Sequence, residues 1–109
     1  MGAGIRDSGV PRAKIFLTSK LWNNKHHPDD VEKALDESLE RLGTDYLDLY
    51  LMHMPVAFAR GKELIPRDKE GRAILSDIPI TDTWKAMEVL TVNTTYCRHE
   101  DPTERLVVV

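Results

Sequence analysis

Two polar residues in this 109-residue chain stand where sites are commonly built. Lys20 follows the run Ile15-Phe16-Leu17-Thr18-Ser19, and His53 follows Leu49-Tyr50-Leu51-Met52. Both runs are apolar or β-branched and of strand length, so each residue is expected at a strand end. In parallel α/β folds, the carboxyl ends of strands are where side chains converge on a ligand. His53 shares strand parity with Leu51 and Leu49 and would stand above an apolar layer, while Lys20 shares parity with Thr18 and Phe16. Trp22 and Phe58 lie close behind in sequence and could wall an apolar pocket. One chemistry open to a lysine there is a Schiff base with a carbonyl compound, as in a lyase.

The elements that must position this pair can be read locally. A strand is expected over residues 14–19, then a polar loop at Asn23-Asn24-Lys25-His26-His27. A helix should begin at Pro28, whose fixed φ suits a first turn. Asp29, Asp30 and Glu32 place negative charge at its positive end. Val31, Ala34, Leu35, Ser38, Leu39 and Leu42 recur at spacings of three and four, giving one buried stripe, and Gly43 is a suitable stop. A second strand over residues 45–52 is apolar on both faces, as in parallel sheets. Strand, helix and strand together make a βαβ unit. Residues 54–80 form a long connection punctuated by Pro55, Gly61, Pro66, Gly71 and Pro79. Loops of that length in compact domains commonly carry function. A second helix is expected over residues 83–90, capped by Thr81 or Asp82, with Trp84, Met87 and Leu90 on its buried side. From residue 91 the texture changes, with a β-leaning stretch to Tyr96, a polar one to Arg105 and a final Leu-Val-Val-Val.

Composition narrows the function classes. With 15 Lys+Arg against 18 Asp+Glu, a net charge of -3 argues against a nucleic-acid partner. No stretch approaches the roughly 18 to 20 apolar residues of a membrane span. Arg6 and Asp7 interrupt the place where a secretory leader would carry its apolar core, and the single Cys97 fits a reducing compartment, so a cytoplasmic location is expected. His26-His27 could suggest a metal, but no further ligand stands at a spacing that would complete one, so none is expected. Cys97 has only Arg98 and His99 as basic neighbours and is a weak candidate nucleophile.

The segments Ile15-Phe16-Leu17-Thr18-Ser19-Lys20-Leu21-Trp22 and Ser38-Leu39-Glu40-Arg41-Leu42-Gly43-Thr44-Asp45-Tyr46-Leu47-Asp48-Leu49-Tyr50-Leu51-Met52-His53 closely resemble the aldo-keto reductases. Gly61-Lys62-Glu63-Leu64-Ile65-Pro66 and Thr83-Trp84-Lys85-Ala86-Met87-Glu88 are similar to that family's long loop and following helix, so the likeness spans about residues 4–90. It implies an α/β fold built as part of a (β/α)8 TIM barrel, with NADPH, or NADH, reducing aldehydes and ketones to alcohols. It also implies a catalytic set of Asp, Tyr, Lys and His, of which the last two match Lys20 and His53. In that scheme hydride reaches the carbonyl carbon and a positioned acid quenches the charge on oxygen. Lys20 would favour phenolate and so lower a phenol's pKa, and His53 would orient the carbonyl through a ring N–H. Trp22, His53, Met54, Phe58 and Ile65 would line the substrate pocket, with Met54 where many members have Trp.

The resemblance also shows departures. The family's Asp and Tyr precede the matching region, and its Ser-Asn-Phe and Lys/Arg-rich cofactor segments are not found here, so no cofactor-binding residue can be named. A barrel takes about 250 residues and 109 cannot close one. The expectation is a truncated member: a partial reductase domain over residues 1–90 and an unrelated, disordered tail over 91–109. The small-molecule partner would be a carbonyl compound, with no nucleic acid and no membrane. The alternative is a non-catalytic fragment or a module that binds other subunits.

Overall fold

The computed structural model describes residues 2–92 and 107–109. The elements in chain order are α1 (Gly2–Asp7), β1 (Thr18–Leu21), α2 (Pro28–Leu42), β2 (Leu49–Met52), α3 (Ile80–Val92) and β3 (Val107–Val108). Short 3-10 turns occupy Arg12–Lys14 and Asn23–Lys25. The strands form one open parallel sheet in the order β1-β2-β3.

Helix α2 forms for reasons that are local. Pro28 opens it, His27 Nδ1 accepts from the Asp29 N–H at 3.1 Å, and Asp29 and Asp30 lie in the first turn. Gly43 ends it at φ 70°, and the Thr44 N–H returns 3.1 Å to the Leu39 carbonyl, closing the Schellman-type turn. Val31, Ala34, Leu35 and Leu39 are buried, as the spacing predicts. They share a core with Leu17, Leu21, Leu47, Tyr50, Met87 and Leu90.

Both N-terminal strands start later than their sequences suggest. Residues 14–19 were expected as β1, yet the Leu17 N–H is taken by the Asp48 carboxylate at 2.8 Å and Lys14 closes a 3-10 turn. The parallel ladder therefore begins at Thr18, opposite Leu49. Upstream of β2, the Arg12 guanidinium bonds the Tyr46 carbonyl at 2.8 Å and lies 3.9 Å from the Tyr46 ring centroid. That backbone is held by a side chain, and the strand is confined to Leu49–Met52.

Helix α3 begins at Ile80, so Thr81 and Asp82 lie inside its first turn. Its buried face is Thr83, Met87 and Leu90, with Trp84 partly exposed at 36%. Thr83 takes the inward place because its Oγ1 donates to the His26 carbonyl at 2.7 Å. The helix runs to Val92, and Val107–Val108 pair with Leu49 and Tyr50, while most of the tail expected over residues 91–109 lies outside the described residues. The pairing uses the open edge of β2. Its Tyr50 carbonyl accepts from the Val109 N–H at 3.1 Å, and its Met52 N–H donates to the Val109 carbonyl at 2.8 Å. Residues 93–96, Cys97 and the polar stretch to residue 105 lie outside the described residues.

Candidate active site

The candidate site residues gather where β1 and β2 end. Lys20 stands within β1 rather than after it, in register with Leu51 of β2. Partners in a parallel register share a face, so Lys20 and Leu51 lie on one side and Leu21 and Met52 on the other. His53 follows β2 directly, and its N–H donates to the Leu21 carbonyl at 3.1 Å, which carries the pairing one step past the ladder. Lys20 and His53 therefore leave the same face of adjacent strands, two residues apart along the strand direction. Both side chains are exposed.

Three rings meet at this rim. The Trp22 and His53 ring centroids are 4.9 Å apart at 70°, and those of Trp22 and Phe58 are 6.1 Å apart at 83°. Both are edge-to-face contacts, the arrangement that aromatic quadrupoles favour. The long connection from β2 to α3 brings Phe58 here, because its N–H donates to the Asn23 carbonyl at 2.8 Å. The Trp22 indole N–H donates to the Leu64 carbonyl, so the same loop returns to Trp22 with Ile65 adjoining. Met54 is 44% exposed and its Sδ accepts from Asn23 Nδ2 at 3.5 Å. Trp22, His53 and Phe58 are thus in direct contact, Met54 and Ile65 border them through Asn23 and Leu64, and Lys20 stands below them on β1.

Tyr46 and Tyr50 do not reach the rim. Tyr50 is fully buried in the helix-facing core, and desolvation pushes its phenol above the ordinary value of 10.0. Tyr46 is buried at the opposite ends of the strands, beneath Arg12. Among the described residues, no three His, Cys, Asp or Glu side chains gather as a metal site would need, and no helix is long and apolar enough to cross a membrane.

A dinucleotide cofactor is a separate question. Its pyrophosphate needs several converging cationic or backbone donors. Near the rim the cations are Lys20 and a shallow cleft of about 390 Å³ holding Lys25, Arg60 and Lys62. Arg60 is already committed to Asp30, through Nε at 2.8 Å and Nη2 at 3.0 Å. The described residues fit the carbonyl end of such chemistry and do not fit the phosphates of the cofactor.

Reading residues 23–27 as a plain polar loop missed Asn23, Asn24 and His26, all of which are buried. Asn24 Nδ2 donates to the Gly61 carbonyl at 3.0 Å and to the Glu63 carbonyl at 2.9 Å. An Asn pair a few residues before a helix start was the available signal, and it does not identify such distant partners.

The family model described as "Aldo/keto reductase family" matches residues 1–93. The chain is 50% identical to a D/L-glyceraldehyde reductase of Hypocrea jecorina, over 83% of this chain and 29% of that protein. It is 56% identical to aldo-keto reductase family 1 member A1 of Xenopus tropicalis, over 77% of this chain and 26% of that protein. An aldose reductase from Schistosoma japonicum superposes with a TM-score of 0.75 at 44% identity, covering 82% of this chain and 30% of that one. One from Giardia lamblia gives 0.78 at 40% identity, covering 93% and 31%. The chain thus spans under a third of the length of these relatives, and its open sheet is part of a (β/α)8 barrel. By sequence, by fold and by the matched span, the chain belongs to the aldo/keto reductase family.

Proposed function

We propose that this chain carries the carbonyl-facing part of an NAD(P)H-dependent reductase that converts aldehydes and ketones to alcohols, located in the cytoplasm. The contact of Trp22 with His53 at 4.9 Å, on the face that also bears Lys20, carries the reading. A hydrogen-bonding ring with an apolar wall beside it, and an ammonium on the same strand face, would suit a carbonyl group. A carbonyl compound seated against Trp22 and Phe58 would point its oxygen at the His53 ring N–H. As charge grows on that oxygen, the N–H stabilises it more than it stabilises the neutral ground state. Lys20 would add positive potential beneath the same oxygen, lowering the pKa of an acid placed there. The relatives named as glyceraldehyde and aldose reductases support an aldehyde as the substrate class. NADPH is the favoured hydride source for the whole reaction, with NADH as the other. Because the described residues do not fit its phosphates, this chain by itself is expected to bind the carbonyl partner without turning it over.

Titration of tryptophan fluorescence with an aromatic aldehyde tests this, using a Trp84→Phe variant so that Trp22 is the reporter. Saturable quenching is expected, with the half-saturating concentration rising about fivefold in His53→Ala, the loss of one hydrogen bond. Quenching that never saturates, or that ignores His53, would overturn the proposal. Saturable quenching by NADPH alone would overturn its division of labour.

A further inference from the structure

The geometry points to Asn24 as a positioning residue that latches the loop after β2 onto Trp22 and so holds one wall of the carbonyl site. The idea takes the site itself from the proposed function. Asn24 is 1% exposed, and its amide donates both its hydrogens to the loop, to the Gly61 carbonyl at 3.0 Å and the Glu63 carbonyl at 2.9 Å. Its neighbours grip the same loop on either side. The Asn23 carbonyl accepts from the Phe58 N–H at 2.8 Å, and the Trp22 indole N–H reaches the Leu64 carbonyl. Three consecutive residues thus meet the loop, Trp22 at Leu64, Asn23 at Phe58 and Asn24 between them at Gly61 and Glu63.

The turn that carries them is itself anchored, because Thr83 Oγ1 of α3 donates to the His26 carbonyl at 2.7 Å. Asn24 is the one of the three that acts on the loop backbone through two side-chain hydrogen bonds. It does so where the loop needs most guidance. Gly61 sits at φ 147°, a conformation side-chain-bearing residues rarely adopt, and Leu64 and Ile65 beyond it are largely exposed. With few apolar contacts of its own, this stretch depends on buried polar anchors for a single conformation. Gln in place of Asn24 would overreach, and Asp would set a carboxylate against two carbonyls. The site wall is then set by the amide group at this position and not by size alone.

The test compares Asn24→Asp with wild type and with Asn23→Asp, all in the Trp84→Phe background. Asn23 is equally buried, but it meets Phe58 through its backbone and its side chain goes to Met54 Sδ, away from Lys62, so it controls for a carboxylate placed in this turn. Tryptic cleavage after Lys62, between the two latched carbonyls, is expected to accelerate about tenfold or more in Asn24→Asp alone. Trp22 emission should shift to the red, and half-saturation by the aromatic aldehyde should rise, with the thermal midpoint no lower than that of Asn23→Asp. If Asn24→Asp does not fold, Asn24→Ser, which keeps one donor, should show the same cleavage at smaller amplitude. A folded Asn24 variant with wild-type cleavage and emission would overturn the latch. Because cleavage and emission need no ligand, a latch that responds in a chain that never binds aldehyde would sink the proposed function and the carbonyl wall with it, leaving only the hold of Asn24 on the loop.

Discussion

On one face of the β1–β2 pair, Leu21 and Tyr50 are fully buried in a core with Leu35 of α2 and Met87 of α3. On the other face Thr18 and Lys20 stand in solvent, and Phe16, just before them, is 70% exposed. The first face is a finished helix-on-sheet layer. The second bears Lys20 of the proposed site and, in a closed barrel, would be the interior. The contrast teaches that packing is concentrated on one side of these four-residue strands and the proposed site on the other, so substitutions should separate stability from binding.

The largest separation is expected from apolar truncation. Leu35→Ala removes a side chain that is 1% exposed and should cost about 2–5 kcal/mol, lost transfer energy plus a cavity. Phe16→Ser removes a larger side chain from the open face and should stay within about 0.5 kcal/mol. Urea denaturation of both reads the difference. A Phe16 variant as destabilised as the Leu35 one would mean the open face is packed in solution, and the contrast would fail.

A second effect should sort the faces by acid sensitivity. His26 is 1% exposed, and desolvation holds its pKa below the ordinary 6.5. The unfolded chain therefore binds more protons than the folded one between that lowered value and 6.5, and stability rises with pH across the window. The contribution is complete above 6.5 and is lost as pH falls through it. Urea midpoints at about pH 7.5 and about pH 5.5 should differ in wild type, with the difference shrinking in His26→Gln. An unchanged pH difference in that variant would show that the polar turn beneath α3 does not sense acid.

How much of this was legible in the sequence follows from how far each residue's partners lie along the chain. Helix α2 was legible from end to end, because Pro28, the acidic first turn and Gly43 act within a few residues. The Trp22–His53–Phe58 cluster was legible in outline through strand parity, which puts side chains on a face without knowledge of pairing. Lys20 lies inside β1 and not after it, because the ladder continues to Leu21 opposite Met52, and only the pairing with β2 decides where it stops. Asn24 was invisible because its partners are 37 and 39 residues away. For the same reason Val107–Val108 read as an unstructured end, although β2, nearly 60 residues earlier, offers them an open edge. Apolar content alone does not say which strand is waiting.

The smallest effect concerns the ion pair that ties the site loop to α2. Arg60 grips Asp30 with two hydrogen bonds, and that bond, with the nearby positive charge, holds the Asp30 carboxyl below its ordinary 3.8. The folded state then binds fewer protons than the unfolded one, so the contribution is present above 3.8 and lost as pH falls through the lowered value. Half of the Arg60 side chain is in solvent, where water and salt screen most of the attraction. Asp30→Asn should therefore lower the thermal midpoint slightly at neutral pH and low salt, and the difference from wild type should vanish in concentrated salt and shrink as pH falls below the ordinary 3.8. A loss that survives high salt would instead mark the pair as a structural anchor of the loop, equal in rank to Asn24, and would extend the ordered side of the molecule to the outer rim.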